Sequence, residues 1–192
     1  MLSLRSIINN ISKGQSAIST RLILQALESN YQQLRGYIIL NGVTNKDNKP
    51  TIFTLMPSSK HGIYYDIVVQ FQNNDKITLD SPFQIYSNSP GFVYNFAYVF
   101  HKNGSLLFPY HYPTEVLTMP PEVRNPFESS GFDKHCYAIL RYVTESKIET
   151  FLNQASEHMP QVKTVAEKFQ QLSHYDEEIK KQKSLRKKKR GS

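Results

Sequence analysis

The chain has no tryptophan, a single cysteine and only eight glycines among 192 residues, and each shortage removes a class of protein. One cysteine, Cys136, forms no internal disulfide, so a disulfide-stapled scaffold is excluded and a reducing compartment fits. Glycine is too sparse for a phosphate-cradling loop: "SPGF" holds one, and no Gly-Lys-Ser/Thr follows a strand. No apolar run approaches the ~20 residues that span a bilayer, and the N-terminus lacks a signal peptide's continuous apolar core. Acid is missing at both ends. The first is Glu28, preceded by Arg5, Lys13, Arg21 and several serines, a composition that also suits a transit peptide. The leucines and isoleucines of that stretch equally suit core-facing helix positions.

From Lys180 to Arg190 the chain reads "KKQKSLRKKKR", eight basic residues and no acid. The formal net charge is +7, so residues 1 to 179, with 15 basic against 16 acidic side chains, come to −1. The body is therefore neutral and the basicity sits at one end. A broad positive face on a folded domain is not expected, whereas a polycationic arm is.

Tyr and Phe, 12 and 11 residues, supply the aromatic content and suit half-buried sheets. The spacing predicts a short N-terminal helix through Leu2, Leu4, Ile7, Ile8 and Ile11, broken near Gly14, and a second from Ser16 to Leu34. "GYIILNGV", "PTIFTLMP", "GIYYDIVVQFQ", "KITLD", "GFVYNFAYVF" and "HCYAILRYV" read as strands bounded by Gly, Pro, Asn and Asp. Gln72–Lys76 and the Asn103-Gly104 pair read as hairpin turns. Ser146 and Glu149 have capping-box spacing, so a helix is expected from Lys147, and another after Pro160. The expected fold is α+β: an antiparallel sheet of about five to six strands flanked by N- and C-terminal helices. Its expected organisation is one domain, 1–179, helical over 1–34, mainly β over 36–108, a proline-rich loop over 109–131, then a strand and helices over 135–179. A basic tail, 180–192, follows.

In an extended chain Phe92, Tyr94, Phe96, Tyr98 and Phe100 would share one face. Such a column either stacks nucleic acid bases or lies buried beneath helices. Phe96-Ala97-Tyr98-Val99 matches the middle of an RNA-recognition signature, but its flanks fail, with Tyr94-Asn95 and His101 where other residues are required. A neutral body also lacks the phosphate contacts that base stacking needs. The column is read as core.

Asp133, His135 and Cys136 raise the possibility of a thiol nucleophile with its base. Adjacent residues in a strand face opposite sides, however, and a cysteine inside "CYAIL" reads as a small buried hydrophobe. The six histidines have no metal-ligand spacing: His111 and Glu115 are four apart, but Pro113 between them discourages the helix that would align them. Catalytic residues, a metal and a cofactor are not expected. The long segment 109–131, with five prolines, is expected to reach a partner through Tyr110, Tyr112, Met119, Arg124 and Phe127. Lys180, Lys181, Lys183, Arg186, Lys187, Lys188, Lys189 and Arg190 are expected to contact nucleic acid. With only Leu185 to insert, lipid is the weaker match for this run. A nuclear-import signal or a plain solvated terminus shares its composition.

The run "SPFQIYSNSPGFVYNFAYVFHKNG", followed by "PPEVRNPF" and "GFDKHCYAILRYV", resembles small bacteriophage structural or virion-assembly proteins in texture. The likeness covers Ser81 to Val143: Asn/Tyr-rich strands and a proline-rich arm, with a cationic end beyond. It implies assembly into rings or shells that touch packaged DNA, and carries over no functional residue. The resulting expectation is a non-enzymatic structural, assembly or adaptor protein, in the cytoplasm, or in host cytoplasm and virion if viral. Its expected partners are homo- or hetero-oligomeric subunits and nucleic acid, not a membrane. Two other readings stay open: an inhibitor or regulatory factor of a nucleic-acid machine, and a small enzyme built around His101, His111 and His135.

Overall fold

The computed structural model describes residues 1–12, 39–46, 49–58, 62–72, 78–123, 125–137, 139 and 159–190. Helix α1 (Leu4–Ser12) is followed by strands β1 (Ile39–Lys46), β2 (Lys49–Pro57), β3 (Tyr64–Phe71) and β4 (Phe83–Ser87). Short helices α2 (Pro90–Asn95) and α3 (Ala97–Lys102), a 3-10 turn (Pro109–His111), helix α4 (Thr114–Thr118) and a helical turn at 134–137 come next. Helix α5 (Met159–Arg190) closes the chain.

The four strands form one antiparallel sheet in the order β1-β2-β3-β4. The fold is α+β, but the sheet has four strands, not the five to six expected. One expected strand is helical, Gly91–Phe100 folding into α2 and α3. Of His135–Val143 the described start is a helical turn at 134–137, with 138 and 140–143 outside the described residues, and the described end of the expected strand at 76–80 is a turn before β4. β4 itself is a strand the sequence reading omitted. The expected helices at 16–34 and from Lys147 lie outside the described residues.

The misreading of the aromatic segment has a simple cause. Rings at every second residue include rings at every fourth, and every fourth is close to a helical repeat. Phe92, Phe96 and Phe100 are buried, whereas Tyr94 is half exposed. Ser89 starts α2 as its N-cap, its Oγ accepting the Phe92 N–H, and Pro90 sits where its missing N–H costs nothing. The Asn103-Gly104 pair is likewise a helix end rather than a hairpin. Gly104, at φ +67°, donates to the His101 carbonyl while Ser105 donates to that of Phe100, the two bonds of a Schellman stop.

Both faces of the sheet are covered. Ile52, Met56, Ile67, Val69, Phe83 and Ile85 point to one side, where the rings of Phe92, Phe100 and Phe132 gather. Phe83 lies 6.1 Å from Phe132 and 6.3 Å from Phe100, ring centre to ring centre. Each buried phenylalanine contributes about 2 kcal/mol through area alone. Tyr86 points to the other side, against Phe108, His111 and Tyr112. The outer edge of β4 is closed by 105–107, whose backbone bonds flank Ile85, and by the Leu2 carbonyl, which accepts from Phe83. No described helix is long and apolar enough to cross a membrane.

Candidate functional site

The basic run does not trail from the fold as a separate tail: its backbone is the last third of α5, helical to Arg190. α5 packs against β1 and the 3-10 turn. Three contacts fix it there. The Tyr110 N–H donates to Asp176 Oδ1 at 3.1 Å, His111 Nε2 lies 3.1 Å from the Leu172 carbonyl, and the His111 and Tyr175 rings stand 4.8 Å apart. Lys183 Nζ then sits 4.3 Å above the centre of the Tyr110 ring. A cation over that ring face is attracted by its quadrupole, at about 0.5–1 kcal/mol in an exposed setting. Burial pushes the Asp176 carboxyl up, opposed by the Tyr110 N–H bond and by His111 and Lys180. Lys180, Lys181, Lys183 and Arg186 are exposed. Residues 187–190 continue the helix.

The partner-contact residues expected in 109–131 separate. Tyr112 is a core residue: its hydroxyl accepts from the Ser87 N–H and donates to the Ser87 carbonyl, and burial lifts its pKa well above that of a free phenol. It is unavailable to a partner. Tyr110 is half-buried beneath Lys183. Met119 and Phe127 are exposed, together with Val123, and Arg124 lies outside the described residues. The segment is no free arm, because Asn125 is fully buried and staples it. Asn125 Nδ2 donates to the Asn95 and Ser129 carbonyls, and its Oδ1 accepts the Ser129 N–H. What projects from it are the side chains of Met119, Val123 and Phe127.

Asp133, His135 and Cys136 do meet, through a helical turn rather than a strand. Asp133 Oδ1 caps that turn by accepting the Cys136 N–H at 2.9 Å. Its Oδ2 accepts from Ser89 Oγ at 2.5 Å and stands 3.2 Å from His135 Nδ1. Ser87 Oγ donates to Ser89 Oγ in turn. Burial favours a neutral Asp133, but the bonds from His135, Ser89 and Cys136 outweigh it and hold the carboxyl below its usual range. For Cys136, burial comes first and the Asp133 charge second, and both push the thiol well above its ordinary value. A nucleophile needs the reverse. The order of contact is also Ser89–Asp133–His135, with the carboxylate between serine and imidazole, so His135 is not placed to deprotonate Ser89. This cluster joins α2 to the 134–137 turn. The signal for it was the Ser89-Pro90 helix start, which the sequence reading weighed only as a phosphate loop.

The three histidines of the enzyme reading stand apart. His101 is exposed on α3, His111 packs among Tyr86, Phe108 and Tyr175, and His135 is buried beside Asp133 and the Tyr65 ring. None lines the open groove of about 600 Å³ between α1 and 127–130, which is bounded by Leu2, Asn10, Val99, Asn103, Phe127 and Glu128 among others. Among the described residues no cluster of three or more His, Cys, Asp or Glu has the arrangement to hold a metal ion. Comparison with known protein families, characterised proteins and solved structures yields no match to this chain.

Proposed function

We propose that this chain is a non-enzymatic assembly or adaptor protein. It meets nucleic acid through the C-terminal third of α5 and a protein subunit through the stretch from Met119 to Phe127. The observation carrying the reading is the charge partition: eight cations and no acid in Lys180–Arg190, the last third of α5, while residues 1 to 179 come to −1. Phosphate is the most abundant ligand such a run recognises, and the lone Leu185 gives little to insert into lipid. Met119, Val123 and Phe127, three exposed large apolar side chains within nine residues of chain, are the side chains offered to that subunit. The textural likeness to small bacteriophage virion proteins supports virion assembly as the setting, with the cytoplasm of a host as the compartment.

The test compares full-length protein with a version ending at Ile179, for DNA and RNA binding across a salt series. The full chain should bind with a log–log salt slope approaching about −7, from ~0.9 per phosphate contact, and the shortened one should not. Equal, salt-insensitive binding by both removes the role of the basic run. Light scattering reads the other half: a strict monomer at high concentration, with no co-purifying subunit, removes the assembly role.

A further inference from the structure

The cations of α5 run around its whole circumference. Helical residues are turned by about 100° each, so Lys180, Lys181, Lys183 and Arg186 fall at about 0°, 100°, 300° and 240° around the axis. All four are exposed. This is a basic rod, not the basic face of an amphipathic helix. Among the described residues its last contact with the body is Lys183 over Tyr110.

Resting on the nucleic-acid reading above, we infer that the ligand is B-form duplex DNA, with the segment Lys180–Arg190 lying along the major groove. Dimensions support this: an α-helix is ~10–12 Å across with its side chains and the groove is ~12 Å wide. The eleven residues extend ~16 Å, so eight charges are spaced at about the pitch of duplex phosphates, one per ~1.7 Å. Cations on every side suit a ligand with phosphates on both walls. A flat anionic membrane would engage only one side of the rod. A single strand is held by aromatic stacking as well as charge, and the segment carries no ring; its one large apolar side chain, Leu185, is 60% exposed. The major groove of A-form RNA is too narrow and deep to admit a helix. Gln182 and Ser184 are the segment's only neutral polar side chains. Contacts are therefore mainly to backbone phosphates, and the only base edge the segment favours is that of guanine, which Arg and Lys reach through O6 and N7.

The experiment measures fluorescence anisotropy of the full chain with a 25-base-pair DNA duplex, one of its single strands, the matching RNA duplex, and phosphatidylserine vesicles, each at several salt concentrations. The DNA duplex should bind at least ~10-fold tighter than the single strand or RNA duplex. Ser184→Pro keeps every charge and breaks the rod between Lys183 and Arg186, and circular dichroism would verify that the body is intact. It should cost ~10-fold on duplex DNA and leave the single strand unchanged. Equal affinity for all three nucleic acids, or no loss on Ser184→Pro, overturns the groove-bound rod while leaving nucleic-acid contact standing. Tighter binding to vesicles, or no binding to any polyanion, overturns both.

Discussion

Gly91 lies so close to Asp133 that a Cβ at position 91 would stand 3.1 Å from the Asp133 Cβ and 3.2 Å from Oδ2. The first turn of α2 thus reaches the carboxylate that caps the 134–137 turn, and one buried anion serves two helix starts. Asp133 cannot move aside, because Ser89, His135 and the Cys136 N–H all hold it. Gly91→Ala is therefore expected to destabilise the protein by about 1–3 kcal/mol, the usual cost of overpacking a fixed site. An unchanged urea midpoint would show that the contact relaxes freely.

Removing the carboxylate should cost more than crowding it. Asp133→Ala leaves Ser89, His135 and a backbone N–H buried without their acceptor, an expected loss of about 3 kcal/mol or more. Asp133→Asn keeps an acceptor oxygen and should lose less. Urea denaturation of both variants checks the order, and an alanine variant as stable as the asparagine one would contradict the network.

The same carboxylate sets an acid limit. Its folded pKa lies below the unfolded one, so between the two the unfolded chain binds the extra proton. Its contribution is present above the ordinary carboxylate pKa and is lost as pH falls through the folded value. A thermal-melt series from pH 6 to 2 should show Tm falling below about pH 4, and Asp133→Asn should flatten that fall.

An alkaline limit follows with the opposite sign. Burial raises Tyr86 to about 12, helped by the Asp66 charge, and lifts Tyr112 well above its ordinary value. The unfolded phenols ionise first, so their contribution is complete below about pH 10 and drains away as pH rises toward the folded values. Unfolding and phenolate absorbance should rise together between those limits. Phenolate absorbance near pH 10 in the folded state that disappears on Tyr86→Phe or Tyr112→Phe would contradict the burial.

Tyr110→Ala removes the ring beneath Lys183 while keeping the backbone N–H that bonds Asp176. The expected cost is about 0.5–1 kcal/mol, felt at the end of α5 rather than in the body. Trypsin should cut after Lys183 several-fold faster with Tm barely moved, in line with easier local opening. Unchanged cleavage would mean the ring does not hold the helix.

Some of this was open to reading in the linear chain. β1, β2 and β3 were legible because Ile39–Phe71 combines β-branched and aromatic residues with turn residues between runs. α1 was legible from the helical spacing of Leu4, Ile7, Ile8 and Ile11, of which Leu4 and Ile7 are buried. Phe92 to Phe100 was not, because alternation by two satisfies both a strand and, through every second member, a helix. The stronger signal there was the start at Ser89-Pro90. Tyr112 looked like part of an arm because prolines surround it; its hydroxyl bonds to Ser87, 25 residues away, decide otherwise.

Charge placement needed no coordinates: Lys180–Arg190 is basic and the rest nearly neutral whatever the fold, since ionisation at neutral pH follows from residue type. Tertiary structure alone decided that this run continues a docked helix, that Asn125 staples the proline-rich segment, and that Asp133, Ser89 and His135 share one buried site. Those outcomes depend on contacts between residues tens of positions apart, which local propensity does not encode, because a long-range bond forms only after the intervening chain has folded to bring its ends together.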